Sequence, residues 1–322
     1  MISLSRASVA DYWERFWYSP GSPRNLAAAR IIFGFTSLWV LMSRNFAGTS
    51  GLPAEFWTAV PASARWRYLD FGGHVSLERQ LTLVASFALV CVILGILPRL
   101  ACFVSGLILY HLAPLETIIW TPNPYARGLT ISVLALMTLA FSPCGDRWTL
   151  TRASRTTQAQ GLGNHTWPIR LMQLFVAQIY LFSGYAKIVH SGWAWASASN
   201  LRDWLLYFNQ EDQVRVFHTL GMWLAGMPRV CQLIAVGTLV FELGFIVVLF
   251  SKTARRLLVP AAALFHLGIL LSMNLSFVNV PQLLVFADWD AVATRLRRLS
   301  KRGGPSPSGH HLQEKEGTSV GS

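Results

Sequence analysis

The sequence predicts an all-α fold: a polytopic transmembrane helical bundle of about eight spans, each near 20 residues, with short interfacial helices and a disordered C-terminal tail. Three observations predict it. Of 322 residues, 53% are hydrophobic and only 13% are charged, whereas soluble domains carry about 25% charged residues. Mean hydropathy is +0.41. Apolar runs long enough for a helix to cross a hydrocarbon core of ~30 Å recur nearly end to end.

Segments Leu26–Ser43, Gln80–Leu97, Leu100–Ile119, Tyr125–Phe141, Pro168–Val189, Val230–Phe250 and Leu257–Met273 approach spanning length. An eighth, Phe277–Ala287, contains Pro281 and is short enough to be re-entrant or tilted. Before the first span, Asp11-Tyr-Trp-Glu-Arg-Phe-Trp-Tyr18 reads as an interfacial helix. The long connections 44–79 and 190–228 are rich in Trp and Phe, and Asn200-Leu-Arg-Asp-Trp-Leu-Leu-Tyr-Phe208 is amphipathic. Short helices packed over the bundle mouth are expected there. The chain divides into a cytoplasmic interfacial segment 1–25, a membrane domain 26–294 and a basic, disordered cytoplasmic tail 295–322.

Eight crossings with an inner N-terminus put 17 Lys and Arg residues inside and 8 outside, the sign that positive-inside orientation requires. If the eighth segment does not cross, the split becomes 11 to 14. Most tryptophans fall in loops or at segment ends, where an amphipathic ring prefers the headgroup layer. Both features place the protein in the cell membrane with both termini cytoplasmic.

The net charge of +12 sits in short clusters between apolar runs. That pattern sets orientation and argues against nucleic-acid binding. Cys91, Cys102, Cys144 and Cys231 have no metal-ligand spacing and read as small buried hydrophobes, with a Cys91–Cys102 bridge left open. His310-His311 in the tail is no ligand pair, and no metal site is expected. The first 24 residues are charged and aromatic, so no cleavable leader is expected. There is no P-loop, GxSxG, HExxH or dinucleotide fingerprint.

A charged group at membrane depth costs at least a few kcal/mol, so each one is a functional candidate. Lys187 and Glu116 fall near the outer leaflet, His111, Glu242 and His266 nearer the middle, and Arg30 nearer the inner face. Each has a plainer reading. Arg30 and Lys187 can snorkel, Glu116 can sit at the interface, and His111 can be a satisfied interior histidine. Glu242 can belong to a structural ion pair, and His266 can be helix–helix glue.

Four stretches taken together resemble the HTTM family, the transmembrane domain shared with vitamin K-dependent gamma-carboxylase. They are Ser22-Pro-Arg-Asn-Leu-Ala-Ala-Ala-Arg-Ile-Ile-Phe-Gly34, Leu139-Ala-Phe-Ser-Pro-Cys-Gly-Asp-Arg-Trp148, Gln178-Ile-Tyr-Leu-Phe-Ser-Gly-Tyr-Ala-Lys187 followed by Trp193, and Phe265-His266 followed by Phe277 and Pro281. The resemblance covers about residues 20–290. It implies that Lys187 acts as a base in vitamin K hydroquinone chemistry, which in the carboxylase leads to deprotonation of a peptide glutamate. A lysine serves so only if desolvation or a cationic neighbour lowers its pKa towards neutrality. By the same resemblance His266 hydrogen-bonds a quinol or a carbonyl, and Asn123, Tyr125 and Trp193 join Glu242, His111 and Glu116 as binding candidates.

The departures are as informative. Thr121-Pro-Asn-Pro-Tyr125 lacks the histidine of the carboxylase's Asn-His-x-x-Tyr stretch, and Ala186 replaces one of its adjacent lysines. No large extracytoplasmic domain is expected after the eighth segment. Full carboxylase activity is therefore not expected. The leading expectation is a membrane-embedded enzyme acting on a lipid, quinone or exported peptide at an outward-facing site, with a vitamin K-like quinol as the cofactor the resemblance suggests. A non-catalytic maturation factor for a secreted peptide and a small-molecule transporter are the alternatives. Broken helices at matched positions would mark a transporter, and here only the last segment is interrupted.

Overall fold

The computed structural model describes residues 6–53, 55–56, 74–119, 128–151, 165–210 and 218–302. Among these the chain is helical and contains no strand. Its first helix, α1 (Arg6–Tyr18), leaves Tyr12, Trp13 and Tyr18 exposed, as an interfacial helix does. Five helices are long and apolar enough to cross a membrane: α2 (Pro23–Met42), α4 (Val75–Leu94), α5 (Pro98–Ile119), α10 (Pro228–Gly244, continued by a 3-10 turn Phe245–Leu249) and α11 (Lys252–Met273). Two more expected spans form shorter or more polar helices, α6 (Gly128–Ala140) and α7 (Thr166–Ser191).

Short helices also fill the connections. α3 (Phe46–Ser50) follows α2. A 3-10 turn (Gly192–Ala196), α8 (Ala198–Gln210) and α9 (His218–Ala225) follow α7. In α8, Leu201, Leu205 and Asn209 are buried at a spacing of four, while Arg202, Asp203 and Tyr207 face out. The same helix is tied to α11 where Asn209 Nδ2 donates to the Ser272 carbonyl at 2.8 Å.

α2 is the centre of the bundle. Of its span 61% is buried, against 11% for α11. Small residues make that possible. Ala27, Ala28, Ala29, Gly34 and Ser37 are all buried, and a Cβ on Gly34 would lie 2.9 Å from Val92 of α4. Helices in lipid gain little from apolar contact alone, so close approach of small residues drives their association. The outward faces are the inverse of a soluble protein: Leu83, Phe87, Leu233, Val240 and Leu264 are exposed. The four cysteines are buried and unbridged, so the open Cys91–Cys102 question resolves to free thiols.

Arg30 does not snorkel. It is fully buried and donates to the carbonyls of Cys144 (2.7 Å) and Trp148 (2.5 Å) in the connection after α6. Trp148 has φ +53°, a left-handed backbone costly for a bulky residue, and this hydrogen bond helps to hold it.

The eighth segment is a 3-10 turn, Val280–Phe286, rather than an α-helix. At ~2.0 Å per residue its seven residues extend about 14 Å, half of the hydrocarbon thickness. Gln282, Leu283, Val285 and Phe286 are buried. Gln173 of α7 donates to the Val285 carbonyl at 3.1 Å, and Gln282 donates to Ser132 Oγ of α6 at 3.3 Å. Irregular backbone is tolerated at membrane depth when protein surrounds it and satisfies its polar groups.

The described residues 288–302 belong to a second compact unit. Its helix α12 (Trp289–Arg302) extends eight residues into the tail that was expected to be disordered from 295. The remainder of that tail, with His310-His311, lies outside the described residues.

Candidate functional site

The candidate site is built on one face of α7. Tyr180, Ser183, Gly184 and Lys187 recur at the three-to-four spacing that stacks side chains along a helix. Opposite them stands Glu242 on α10. Lys187 Nζ donates to Glu242 Oε1 at 2.5 Å and Oε2 at 2.6 Å, and to Ser183 Oγ at 3.1 Å. Ser183 in turn donates to Glu242 Oε1 at 3.3 Å. The carboxylate side chain is only 5% exposed and the lysine 19%, so the pair is withdrawn from water.

Local geometry explains the meeting. Helical side chains lean back toward the N-terminus, so Lys187 reaches toward Ser183 rather than outward along the span. Gly184 supplies the room: a Cβ there would lie 3.1 Å from Glu242 Cβ and 3.0 Å from Leu243 Cγ. The Trp195 ring lies 4.8 Å from Nζ, close enough to add a cation–π attraction. Snorkelling of Lys187, the plain alternative, is not what the structure adopts.

His266 of α11 belongs to the same wall. Its Nε2 shares a 2.8 Å hydrogen bond with the Tyr180 hydroxyl. Tyr180 is seven residues before Lys187, or about 10 Å along the axis. Aromatic rings pack around the two groups. The Phe245 ring lies tilted against Tyr180 at 4.1 Å and the Phe277 ring tilted against His266 at 4.7 Å, while Phe241 touches Tyr180 and Phe265. His266 Nδ1 is buried and has no partner among the described residues. With Tyr180 donating to Nε2, neutral imidazole carries its proton on Nδ1, where it is a spare donor.

The other expected site residues lie elsewhere or outside the described part. His111 is not in this cluster: its Nε2 pairs with Glu78 Oε1 of α4 at 2.8 Å, and Glu78 is fully buried. Trp193 is 80% exposed in the 3-10 turn, and the ring over the amine is Trp195. Glu116 lies on α5 with its side chain outside the described residues, as are Asn123 and Tyr125 entirely. Among the described residues no group of His, Cys, Asp or Glu is arranged to hold a metal ion.

Tyr180, Ser183 and Trp195 were missed by sequence reasoning. The first two were findable, because a polar group one and two turns before an intramembrane lysine shares its helix face.

The HTTM domain family model matches residues 18–287, most of the chain. The chain belongs to the HTTM family. The match spans every helix from the end of α1 through the 3-10 turn at Val280–Phe286, so the whole Lys187–Glu242 cluster lies within the HTTM domain. No curated protein and no solved structure matches the chain.

Proposed function

We propose that this HTTM protein is a membrane-embedded enzyme that transfers protons at the Lys187–Glu242 pair, acting on a lipid, quinone or exported peptide that enters from the outer side. The observation that carries the reading is the pair itself: two opposite charges, desolvated and in direct contact, on facing helices of a membrane domain. Buried charges in contact are expensive to assemble, and replacing such a pair with apolar residues is often neutral or stabilising. Sites of proton relay are where membrane proteins retain them.

Proton bookkeeping defines the roles. The base role needed a cationic neighbour or desolvation, and the neighbour is a carboxylate, to whose two oxygens Lys187 Nζ donates. The pair is read as ammonium and carboxylate. Such a unit accepts a proton on Glu242 or donates one from Lys187. It becomes a free amine base only after giving a proton up. Ser183, bonded to both partners, holds the geometry.

A quinol-type ring fits the neighbouring wall. Phe241, Phe265 and Phe277 offer flat apolar contacts, and the spare Nδ1 of His266 is suited to an oxygen. Such a group would supply reducing equivalents when bound. His266 would orient it and Tyr180 would hold His266.

The test replaces Lys187 by Arg. Arginine keeps the ion pair but does not release its proton. Cells carrying Lys187→Arg or His266→Leu should make a folded, membrane-inserted protein and lose the product that comparative mass spectrometry of lipids, quinones and exported peptides finds with the natural chain. Product formation that persists in Lys187→Arg would sink the proton-transfer reading and favour a maturation factor that binds without chemistry.

A further inference from the structure

Away from that cluster, two arginines meet at the other end of α7 with no acid between them. Arg170, near the start of α7, donates through Nη1 to the Leu249 carbonyl at 3.3 Å and to Gln173 Oε1 at 3.4 Å. Arg255, near the start of α11, donates through Nε and Nη2 to the Val248 carbonyl at 3.1 Å, and through Nη2 to the same Leu249 carbonyl at 3.5 Å. The two guanidinium groups therefore converge on a single oxygen. Neither pairs with a carboxylate among the described residues.

Capping the carbonyls that end α10 is the plain role for these side chains, but it leaves a charge imbalance. A helix C-terminus offers about half a unit of negative charge, against two full positive charges held together on half-buried side chains. It also leaves donors over. Nε and Nη2 of Arg170 and Nη1 of Arg255 have no partner among the described residues, and none of these atoms is enclosed. The unused N–H groups of two adjacent forks match the acceptor geometry of a phosphate.

Position selects the kind of phosphate. Residues 170, 249 and 255 all lie at the ends of membrane helices, where headgroups sit. Aromatic rings flank the arginines. Phe16 lies 4.8 Å below the Arg170 guanidinium and Phe286 6.0 Å from that of Arg255, while Phe250, 56% exposed, stacks on Phe16 at 5.7 Å. An ion from bulk water needs no such apolar rim, whereas a lipid brings glycerol and acyl chains to cover it.

We propose that Arg170 and Arg255 form a clamp for the phosphate of a membrane phospholipid. The full-length protein, extracted in mild detergent, is exposed to phosphatidylglycerol, to diacylglycerol or to inorganic phosphate, and bound adducts are read by native mass spectrometry. Phosphatidylglycerol should remain bound and diacylglycerol should not. The Arg170→Gln/Arg255→Gln variant should hold it about tenfold more weakly, a loss near 1.4 kcal/mol. Arg256→Gln, on the exposed neighbour, should behave as the natural chain. Should the double variant fail to fold, Arg170→Gln alone is read, since Arg255 then still caps the carbonyls. Equal lipid retention by the natural chain and the Arg170→Gln variants overturns the clamp, as does equal retention of diacylglycerol. Displacement of the lipid by inorganic phosphate at matched concentration makes this a free-anion site and overturns the lipid assignment.

Discussion

Arg30 and Lys187 are both cations within the helical bundle, and their neighbours handle them differently. Arg30 is surrounded by carbonyl oxygens: its partners are the Cys144, Arg147 and Trp148 main-chain groups, so its charge fixes the connection after α6. Lys187 is matched by one carboxylate and one hydroxyl, an arrangement able to pass a proton. The first arrangement is structural, and it predicts a stability effect. Arg30→Met strands three carbonyls and frees Trp148 from its left-handed conformation. A destabilisation of about 2–4 kcal/mol follows, measurable as reduced resistance to denaturant in detergent. A change below about 0.5 kcal/mol, ordinary for a surface substitution, would show that the arginine anchors nothing. Trp193 and Trp195 carry the same lesson in small. They are two positions apart, and the 3-10 turn sends one ring outward and the other over the amine.

At the scale of elements, the eighth segment decides orientation. As a 3-10 turn held by Gln173 of α7 and Ser132 of α6, it is part of the protein interior rather than a free-standing span. Positive-inside counting nevertheless favours a crossing, because α12 carries Arg295, Arg297 and Arg298 within two turns. A reporter fused after Lys301 should report the cytoplasmic side if the segment and its flanks together complete the eighth crossing. A signal from the outer side would remove that crossing and make the segment re-entrant. Gly184 shows how a helix–helix contact becomes a site: without a side chain there, α7 and α10 approach closely enough for a lysine and a glutamate to touch.

Across the whole molecule, the helices were legible because lipid forces each spanning stretch to satisfy its backbone internally and to be apolar along its length. The ends moved by a few residues, as from Leu257 to Lys252 at the start of α11, since a basic first turn is invisible to an apolar window. Lys187, Glu242 and His266 were legible one by one, being polar groups at the wrong depth. Their grouping was not. Whether Glu242 faces Lys187 or lipid depends on how α10 is rotated against α7, and no local spacing records that. His111 shows the converse, since its partner Glu78 did not stand out in sequence and took it away from the site.

Lys187 and Glu242 touch inside the bundle. A double-mutant cycle on unfolding in detergent reads their coupling, comparing the natural chain with Lys187→Met, Glu242→Gln and both together. Each single change leaves a buried polar partner unmatched and should cost about 3–5 kcal/mol, while the double variant should cost clearly less than the sum and still make no product. Additivity within about 0.5 kcal/mol would mean that the two side chains do not interact, and the account of the site would be wrong.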